Sequence, residues 1–364
     1  MAWLVYLILF LGFIRFCVAC ANFLSFRYLP QKVNLQQYPR VSVLIPARNE
    51  EQNIGRLLAG LKQFRYPYLE ILVYDDNSED NTPETVERFI PGIQGLKLIH
   101  GSPLPQGWLG KNHACYRLAQ EAAGDYLLFL DADAIVTDGL VERAISYMQK
   151  HRLSLLSIFP RQQFLTFAEK ISVPLMNWIL LSLLPLILVR ISKNPAFAAA
   201  NGQFMFFEAK AYQRLQPHQT FRDNMVEDIA ISHYYKKTGL RTDTLLGNRH
   251  IRCRMYSNLK DTVNGFTKNI FRFFGGSTGA TLLFAAVTTL WPLLFIAGIN
   301  YGLAYLVLAA GIRIFVSLAS KQNVLENILL AVPQHLIFLG IIMKAFINRN
   351  KKQLVWKGRN ILGS

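Results

Sequence analysis

Two aspartates separated by one residue follow a short apolar run in the sequence. Residues 126–130 read YLLFL, and Asp131 and Asp133 come directly after them with Ala132 between. A short, wholly apolar run predicts a central strand of a parallel sheet that is covered on both faces. Ligands of open α/β sheets bind at the carboxyl ends of the strands, and carboxylate oxygens suit Mg²⁺ or Mn²⁺ that also carries a diphosphate. The pair therefore predicts a metal-bridged nucleotide site, with a solvated loop rich in Asp as the alternative.

Other charged residues stand where predicted strands end and predicted helices begin. Glu227 and Asp228 open a predicted helix, where carboxylates ordinarily meet the helix dipole but one can instead act as a catalytic base. Lys111 heads another predicted helix, and a lysine there can meet a phosphate that the helix amides also favour. Asp75 and Asp76 follow a predicted strand. They suit hydrogen bonds from a base N–H or from ribose hydroxyls, and a turn built from Asp, Asn and Ser is the alternative.

The elements that must position these residues alternate between apolar runs and amphipathic segments from residue 41 onward. This alternation predicts an α/β fold, with strands of a parallel sheet joined by crossover helices. The first strand is expected to break at Pro46, after which Asn49 is placed to cap a helix and Arg48 has no evident structural reason. The predicted strands cover residues 41–45, 69–74, 95–100, 126–130 and 153–159, followed by a strand-like segment at 204–207.

The composition is too apolar for two soluble domains, since 52% of the 364 residues are hydrophobic. Lys and Arg number 39 against 23 Asp and Glu, a net charge of +16, which suits an anionic membrane surface or a phosphorylated substrate. No helix-turn-helix, zinc-finger or aromatic RNA-binding pattern accompanies the charge, so nucleic acid is not expected as a partner. The four cysteines include no paired CxxC units at zinc spacing, which indicates small buried residues in a reducing compartment.

Several segments are apolar enough for a membrane. Residues 3–26 are long enough to span the bilayer, with Arg15 as their only charge, and they are too long and lack a clean cleavage site for a signal peptide. Basic residues follow them, which by the positive-inside rule predicts a cytoplasmic domain next. Further runs lie at about 280–299, 301–319 and 325–347, before a basic tail that should also be cytoplasmic. Three full spans would place that tail outside, so one run is predicted to be re-entrant or in-plane.

Residues 171–190 are nearly uncharged but are interrupted by two prolines and Asn177. The pattern favours an interfacial or re-entrant helix pair, where Trp178 is at home, and a core helix of the catalytic domain is the alternative. The predicted domains are an N-terminal transmembrane anchor (1–28), a catalytic domain (40–270) that contains the interfacial segment 171–190, C-terminal membrane helices (278–348) and a basic cytoplasmic tail (349–364).

Five motifs in this order resemble those of the inverting family-2 glycosyltransferases. They are PARNE, DDNSEDNT, GWLGKNHAC, FLDAD and VED, and they cover about residues 41–270. RMY at 254–256, the GF.KN pattern of 265–269 and WKGR at 356–359 are similar to the small membrane-bound branch that includes carotenoid glycosyltransferases acting on diaponeurosporenoate and hydroxychlorobactene. The resemblance implies a GT-A (Rossmann-like) nucleotide-sugar domain. It also implies transfer of a single sugar, glucose from UDP-glucose, to a lipid-soluble acceptor such as a carotenoid or another membrane lipid.

The resemblance also implies roles for individual residues. Asp133 would hold Mg²⁺ or Mn²⁺ together with Asp131, and Asp228 matches the acidic base of the family's ED motif, with Glu227 beside it. The positions implied to contact the nucleotide sugar are Pro46, Arg48, Glu50, Asp75, Asp76, Lys111 and Asp131. The predicted acceptor contacts are Trp178, Arg254 and Trp356.

One family motif is missing from the sequence. RCRMY stands near the place where processive members have Gln-x-x-Arg-Trp, which argues against polymer synthesis and leaves the role of Arg254 open. The alternatives are a processive polysaccharide synthase, which product length would distinguish, and a non-catalytic membrane scaffold with a decayed transferase domain. Every acidic position that the chemistry needs is present, which counts against the scaffold. The expected partners are a nucleotide-sugar donor, a lipid acceptor and the membrane.

Overall fold

The structure, a computed structural model, describes residues 2–33, 35–256, 258–351, 355–356 and 359–360. The chain forms two compact units, which we call the helical unit and the sheet unit. The helical unit consists of Met1–Phe26, Phe164–Ile187 and Met255–Leu354, and the sheet unit consists of Arg27–Gln163, Leu188–Arg254 and Val355–Ser364. In this division residues 164–187 and 255–270 group with the apolar helices, and the predicted domain boundaries stay a prediction.

The strands, in chain order, are β1 (Val41–Ala47), β2 (Leu69–Asp75), β3 (Leu96–His100), β4 (Tyr126–Leu130), β5 (Ala134–Val136), β6 (Leu155–Phe159), β7 (Arg161–Gln162), β8 (Phe204–Glu208), β9 (Thr242–Leu246), β10 (Ile251–Cys253), β11 (Val355–Trp356) and β12 (Arg359–Asn360). Seven of them form one sheet in the order β3-β2-β1-β4-β8-β6-β9. Its pairs are parallel except those made by β8, which runs antiparallel to both β4 and β6. A smaller sheet has the order β5-β10-β7.

The helices, in chain order, are α1 (Ala2–Ser25), α2 (Ile54–Leu61), α3 (Thr82–Phe89), α4 (Gly110–Glu121), α5 (Leu140–His151), α6 (Phe167–Ser172), α7 (Pro174–Leu183), α8 (Ile187–Ile191), α9 (Ala209–Leu215), α10 (Pro217–Thr220), α11 (Glu227–Lys237), α12 (Leu259–Asn269), α13 (Thr278–Thr289), α14 (Leu294–Ala297), α15 (Ile299–Ala319), α16 (Val324–Leu329) and α17 (Ala331–Lys351). Short 3-10 turns lie between some of them.

Apolar side chains of the main sheet are buried on both of its faces, as the wholly apolar runs predict. Val43 and Ile45 of β1 pack in one core with residues of α2 and α5, whereas Leu44 packs in a second core with residues of α4 and α11. All three side chains are fully buried. Truncating such a side chain to alanine typically costs about 2–5 kcal/mol. The two cores hold the carboxyl ends of the strands in fixed positions.

The predicted strands of the parallel sheet are confirmed, with three differences. β1 continues through Pro46 to Ala47, because the residues pair in register with Tyr74 and Asp75 of β2. The strands β5, β7, β9, β10, β11 and β12 were not predicted, and neither was the reversed direction of β8. The expectation that Asn49 caps the first helix is wrong: α2 begins at Ile54, and the Asn49 side chain instead accepts a hydrogen bond from the backbone N–H of Glu79 at 2.8 Å.

Within the part of the chain that the structure describes, three helices are long and apolar enough to cross a membrane: Trp3–Ser25, Ile299–Ala319 and Ala331–Arg349. A further pair, Leu259–Phe274 and Thr278–Thr289, passes the same test only together and is bent by 102°. The predicted run at 280–299 is therefore not one helix, since α13 ends at Thr289. These helices indicate association with a membrane.

Residues 171–190 form parts of α6 and α8 and the whole of α7, broken around Pro185. Near the break, the side-chain amide of Asn22 donates hydrogen bonds to the backbone carbonyls of Leu181 and Leu184. Most of α7 is buried within the helical unit, where the ring of Trp178 lies 5.2 Å from that of Phe284. The position of this segment at a membrane interface stays a prediction.

Candidate active site

The loops after β1 and β2 are tied together by Arg48. Its guanidinium is buried and donates to the backbone carbonyls of Asp76 at 2.6 Å and Asn77 at 2.7 Å. It also lies 3.2 Å from a carboxylate oxygen of Glu79. Because β1 and β2 are parallel neighbours, both loops leave the sheet at the same edge. Arg48 thus has the structural role that the sequence did not indicate, and any contact with a nucleotide stays a prediction.

The other predicted nucleotide contacts lie around these two loops. Asp75 ends β2, and its carboxylate accepts from the backbone N–H of Ser78 at 3.3 Å, as in the predicted turn. Asp76 is also buried. Glu50 accepts from the side-chain amide of Asn53 at 2.8 Å, and its negative charge contributes to a raised pKa at Asp133. These carboxylates therefore share one edge of the sheet with the Asp131–Asp133 pair.

Lys111 joins two acidic groups that come from distant parts of the chain. Its ammonium nitrogen lies 2.8 Å from Asp131 Oδ1 and 3.3 Å from Glu227 Oε1. The lysine belongs to the first turn of α4, Asp131 follows β4 and Glu227 begins α11. Burial alone would lower the pKa of Lys111, but the two carboxylates outweigh burial and raise this pKa well above its ordinary value. The lysine therefore carries a fixed positive charge between the two acidic groups.

Asp133 is held by two residues that the sequence did not single out. The side-chain amide of Gln203 donates to both of its oxygens, at 3.1 and 2.9 Å, and the thiol of Cys253 donates to Oδ2 at 3.3 Å. Gln203 also donates to the sulfur of Cys253 at 2.7 Å. Both side chains are buried. They fix the orientation of the Asp133 carboxylate.

Asp228 lies at the start of α11 with both of its oxygens engaged by backbone amides. Oδ2 accepts from Gly202 at 2.9 Å, and Oδ1 accepts from Ile229 at 2.8 Å. A Cβ built on Gly202 would lie 2.9 Å from Lys111 Nζ, 3.4 Å from Glu227 Oε1 and 3.7 Å from Asp228 Oδ2. The absence of a side chain at residue 202 therefore lets the backbone approach this charged cluster.

Two carboxyl groups of the site have a raised pKa. Burial raises the pKa of Asp133 to about 7, and the negative charges of Asp131 and Glu50 add to this effect. Burial and the charge of Glu227 raise the pKa of Asp228 to about 7, although Lys111 and the two backbone amides act in the opposite direction. A helix start ordinarily favours the ionised form of a carboxyl group. Burial and a like charge outweigh the helix terminus here, so Asp228 exchanges a proton near neutral pH.

The predicted metal ligands are two carboxylates rather than a complete cage. No group of three or more His, Cys, Asp or Glu side chains able to hold a metal ion occurs among the described residues. Mg²⁺ is usually held by one or two protein carboxylates together with substrate phosphates, and Mn²⁺ takes similar ligands. A cation would also offset the negative charges of Asp131 and Glu50, which add to the effect of burial on the pKa of Asp133. The donor set of Asp131 and Asp133 thus fits a divalent cation that a diphosphate helps to bind.

The three predicted acceptor residues lie in different parts of the chain. Trp178 belongs to the helical unit, and Arg254 follows β10 at the end of a segment of the sheet unit. The backbone of Trp356 lies in β11, which pairs with β12. Their contact with an acceptor stays a prediction.

The sequence alone did not identify Gly202, Gln203 and Cys253. Gln203 and Gly202 precede the strand-like run that became β8, and such residues become candidates only when that strand is known to be antiparallel. Cys253 was interpreted as an ordinary buried cysteine, and it is buried. Its position becomes informative only through the pairing of β10 with β5, which places Cys253 opposite Ala134.

Comparisons with known proteins show which proteins the chain is similar to. Residues 42–215 match the family model described as Glycosyl transferase family 2. A 4,4'-diaponeurosporenoate glycosyltransferase of Staphylococcus haemolyticus (strain JCSC1435) is 27% identical over 239 residues, covering 63% of this chain and 60% of that protein. A protein of the same name from Staphylococcus aureus (strain MRSA252) is 23% identical over 341 residues, covering 88% of this chain and 87% of that protein. The first match spans less than two thirds of the relative's length.

The fold is similar to that of a solved mannosyltransferase from Pyrobaculum calidifontis, which is in complex with GDP-Man and Mn²⁺. The TM-score is 0.53 at 16% sequence identity, and the match covers 93% of this chain and 99% of the other. At this identity the similarity concerns the fold alone. The predicted fold class is confirmed: the chain has a GT-A-like α/β fold with apolar helices near both ends.

Proposed function

We propose that this chain transfers a single sugar from a nucleoside diphosphate sugar to a lipid-soluble acceptor. The chain carries a glycosyl transferase family 2 domain over residues 42–215. The acceptor would be a carotenoid or another membrane lipid with a hydroxyl or carboxyl group. The name shared by the two Staphylococcus relatives supports a carotenoid acid, and the apolar helices support an acceptor dissolved in the bilayer. Glucose from UDP-glucose is the donor that we would test first.

One observation carries the proposal: Lys111 links a carboxylate at the end of β4 to a carboxylate at the start of α11. Its nitrogen lies within 3.3 Å of both Asp131 and Glu227. Sugar transfer needs one group of charges where the diphosphate leaves and another where the acceptor loses its proton. The Asp131–Asp133 pair suits the first task, and the Glu227–Asp228 pair suits the second.

The proposed reaction is a single in-line displacement with inversion. Asp228 accepts the proton of the acceptor hydroxyl while the acceptor oxygen bonds to the anomeric carbon of the sugar. The bond from that carbon to the diphosphate breaks, and the nucleoside diphosphate leaves with the electron pair. A pKa of about 7 makes Asp228 a stronger base than an ordinary carboxylate. Glu227 would keep Lys111 in place beside the base.

Asp131 and Asp133 would hold the divalent cation, whose chemistry when bound is to offset the charge of the leaving diphosphate. Gln203 and Cys253 hold Asp133 in one orientation, so that its carboxylate is preorganised for this task. Lys111 offsets the remaining negative charge around Asp131.

We place the sheet unit on the cytoplasmic side of the cell membrane. Arg27 and Lys32 follow α1, and basic residues have this bias toward the cytoplasm. If α1, α15 and α17 each cross once and the bent α12–α13 pair does not, the sheet unit and the basic tail lie on the same side. This proposed count of spans is compatible with a cytoplasmic tail.

The proposal is tested with the purified full chain in detergent. The protein is incubated with UDP-glucose, UDP-N-acetylglucosamine, UDP-galactose or GDP-mannose, with Mn²⁺ or Mg²⁺ and a membrane lipid extract that contains carotenoids, and products are identified by mass. We expect one added hexose on an apolar acceptor. Long sugar polymers would indicate a synthase. The absence of any transfer and of nucleotide binding would support a non-catalytic protein and overturn the proposal.

A further inference from the structure

A second concave site lies in the sheet unit, at the end of α5. It is a cavity of about 670 Å³, bounded on one side by residues 27–32 and on the other by the last turns of α5. The backbone of residues 27–32 is held against this helix, because Arg143 of α5 donates to the carbonyls of Pro30 and Gln31. The walls of the cavity are thus fixed by contacts within one unit.

The charge of this cavity has one sign. Arg27, Lys32 and Lys150 line it with exposed side chains, and none of the described residues that line it is acidic. The nearby Asp243 is buried and accepts from the hydroxyl of Tyr147 at 2.6 Å, so it does not reach the lining as a free counter-charge. Like charges gathered around a concavity attract an anion.

Two ring-bearing side chains, Tyr147 and His151, also line the cavity. The rings of Tyr147 and His151 lie 4.4 Å apart, and the hydroxyl of Ser146 adds a hydrogen-bond donor to the lining. Burial lowers the pKa of His151, and the positive charges of Arg190, Arg27 and Lys150 lower it further. The histidine therefore experiences the excess positive charge that an anionic ligand would neutralise.

The cavity begins directly after a candidate membrane span. Arg27 is the second residue after Ser25, where that span ends. Two residues of extended chain reach at most about 7 Å, so Arg27 lies within the depth of the lipid headgroups if α1 crosses the bilayer. A phosphate in a lipid headgroup is the anion that occurs at this depth, and basic residues next to a span commonly attract anionic lipids.

We propose that this cavity binds the phosphate of an anionic lipid headgroup. Arg27, Lys32 and Lys150 would pair with the phosphate oxygens, and Ser146 would donate a hydrogen bond. The site shares no residue with the candidate active site, and its occupancy does not depend on which sugar or acceptor the chain uses. It would hold the sheet unit at an anionic membrane surface.

The test measures equilibrium binding to the full chain in a non-ionic detergent. The probes are short-chain phosphatidylglycerol, short-chain phosphatidylcholine and inorganic phosphate, with and without added salt. We expect saturable binding of phosphatidylglycerol that weakens as salt rises, and weaker binding of the other two probes. Replacing Arg27 and Lys150 with Gln should weaken the phosphatidylglycerol interaction by about fivefold for each basic side chain removed.

Lys237→Gln is the matched control, because Lys237 is an exposed lysine in the last turn of α11, as Lys150 is in the last turn of α5. It should leave binding unchanged. Equal unfolding temperatures of the variants and the unchanged protein would show that the fold is intact. Equally tight binding of inorganic phosphate would overturn the lipid assignment in favour of a soluble phosphate compound. Unchanged lipid binding in the double variant, or an equal loss in the control, would overturn the site itself.

Discussion

Replacing Lys111 with Met should move the pH at which the enzyme becomes active. The positive charge of Lys111 lowers the pKa of Asp228, which burial and Glu227 raise to about 7. An opposite charge within about 4–6 Å typically shifts a carboxyl pKa by about 1–3 units, and the lysine side chain is 24% exposed, which favours the low end of that range. We therefore expect the pKa of Asp228 to rise by about one unit in the variant.

The assay is the pH dependence of kcat/KM for a hydroxyl acceptor. A base must be ionised to act, so activity rises with pH through its pKa. The rising limb should move about one unit toward higher pH in Lys111→Met, which corresponds to about tenfold lower kcat/KM on the acidic side. In Lys111→Arg the rising limb should stay near its pH in the unchanged protein, because the positive charge is kept. Lys97→Met, at an exposed position of β3, should leave the pH of the limb unchanged. A limb that stays in place while the variant is folded and binds nucleotide would refute the reasoning.

Three further predictions concern the same cluster. Asp133→Asn should abolish transfer, and in chelator at pH 8 it should raise the unfolding temperature. The raised pKa of Asp133 means that the contribution of this residue to stability is full below about pH 4 and is lost as the pH rises through about 7. Added Mn²⁺ should then stabilise the unchanged protein but not the variant. Asp228→Asn should lower kcat for a hydroxyl acceptor by about two to four powers of ten at nearly unchanged nucleotide affinity, and far less for a carboxylic acid, which is already ionised at neutral pH; a dead Glu227→Gln beside an active Asp228→Asn would exchange their roles. Gly202→Ala should lower kcat by roughly tenfold without lowering the unfolding temperature, because its Cβ would displace the ammonium of Lys111, 2.9 Å away; unchanged kinetics would contradict this.

The sequence predicted the fold through strands whose residues are buried on both faces. An apolar run as short as 126–130 favours a buried strand over a helix, and β4 is found as predicted. Short strands have no such pattern: Arg161 and Gln162 of β7 include no apolar residue, and their pairing with β10 depends on contacts far apart in sequence. The membrane runs were located, but the break after Thr289 depends on packing that composition does not encode.

Individual acidic residues of the site could be predicted, whereas their electrostatic environment could not. Spacing predicted Asp131 and Asp133 as a metal site, and motif resemblance predicted Asp228 as the base. The ion pair from Lys111 to Glu227 joins residues of two helices that are far apart in the chain, and no local pattern indicates it. The pKa of Asp228 is raised by burial and by the charge of Glu227, and both causes arise only when the chain is folded.

The reversed direction of β8 explains why both parts of the site can be held by one short segment. Ligand sites of parallel sheets are sought after the carboxyl ends of strands, but an antiparallel strand brings the residues before its amino end to the same edge. β8 pairs with β4 so that Phe204 lies opposite Leu130, which places Gln203 and Gly202 beside the residues that follow β4. Gln203 then reaches Asp133 with its side chain, and Gly202 donates its backbone N–H to Asp228. A displacement of this segment would therefore disturb Asp133, the predicted metal ligand, and Asp228, the predicted base, together.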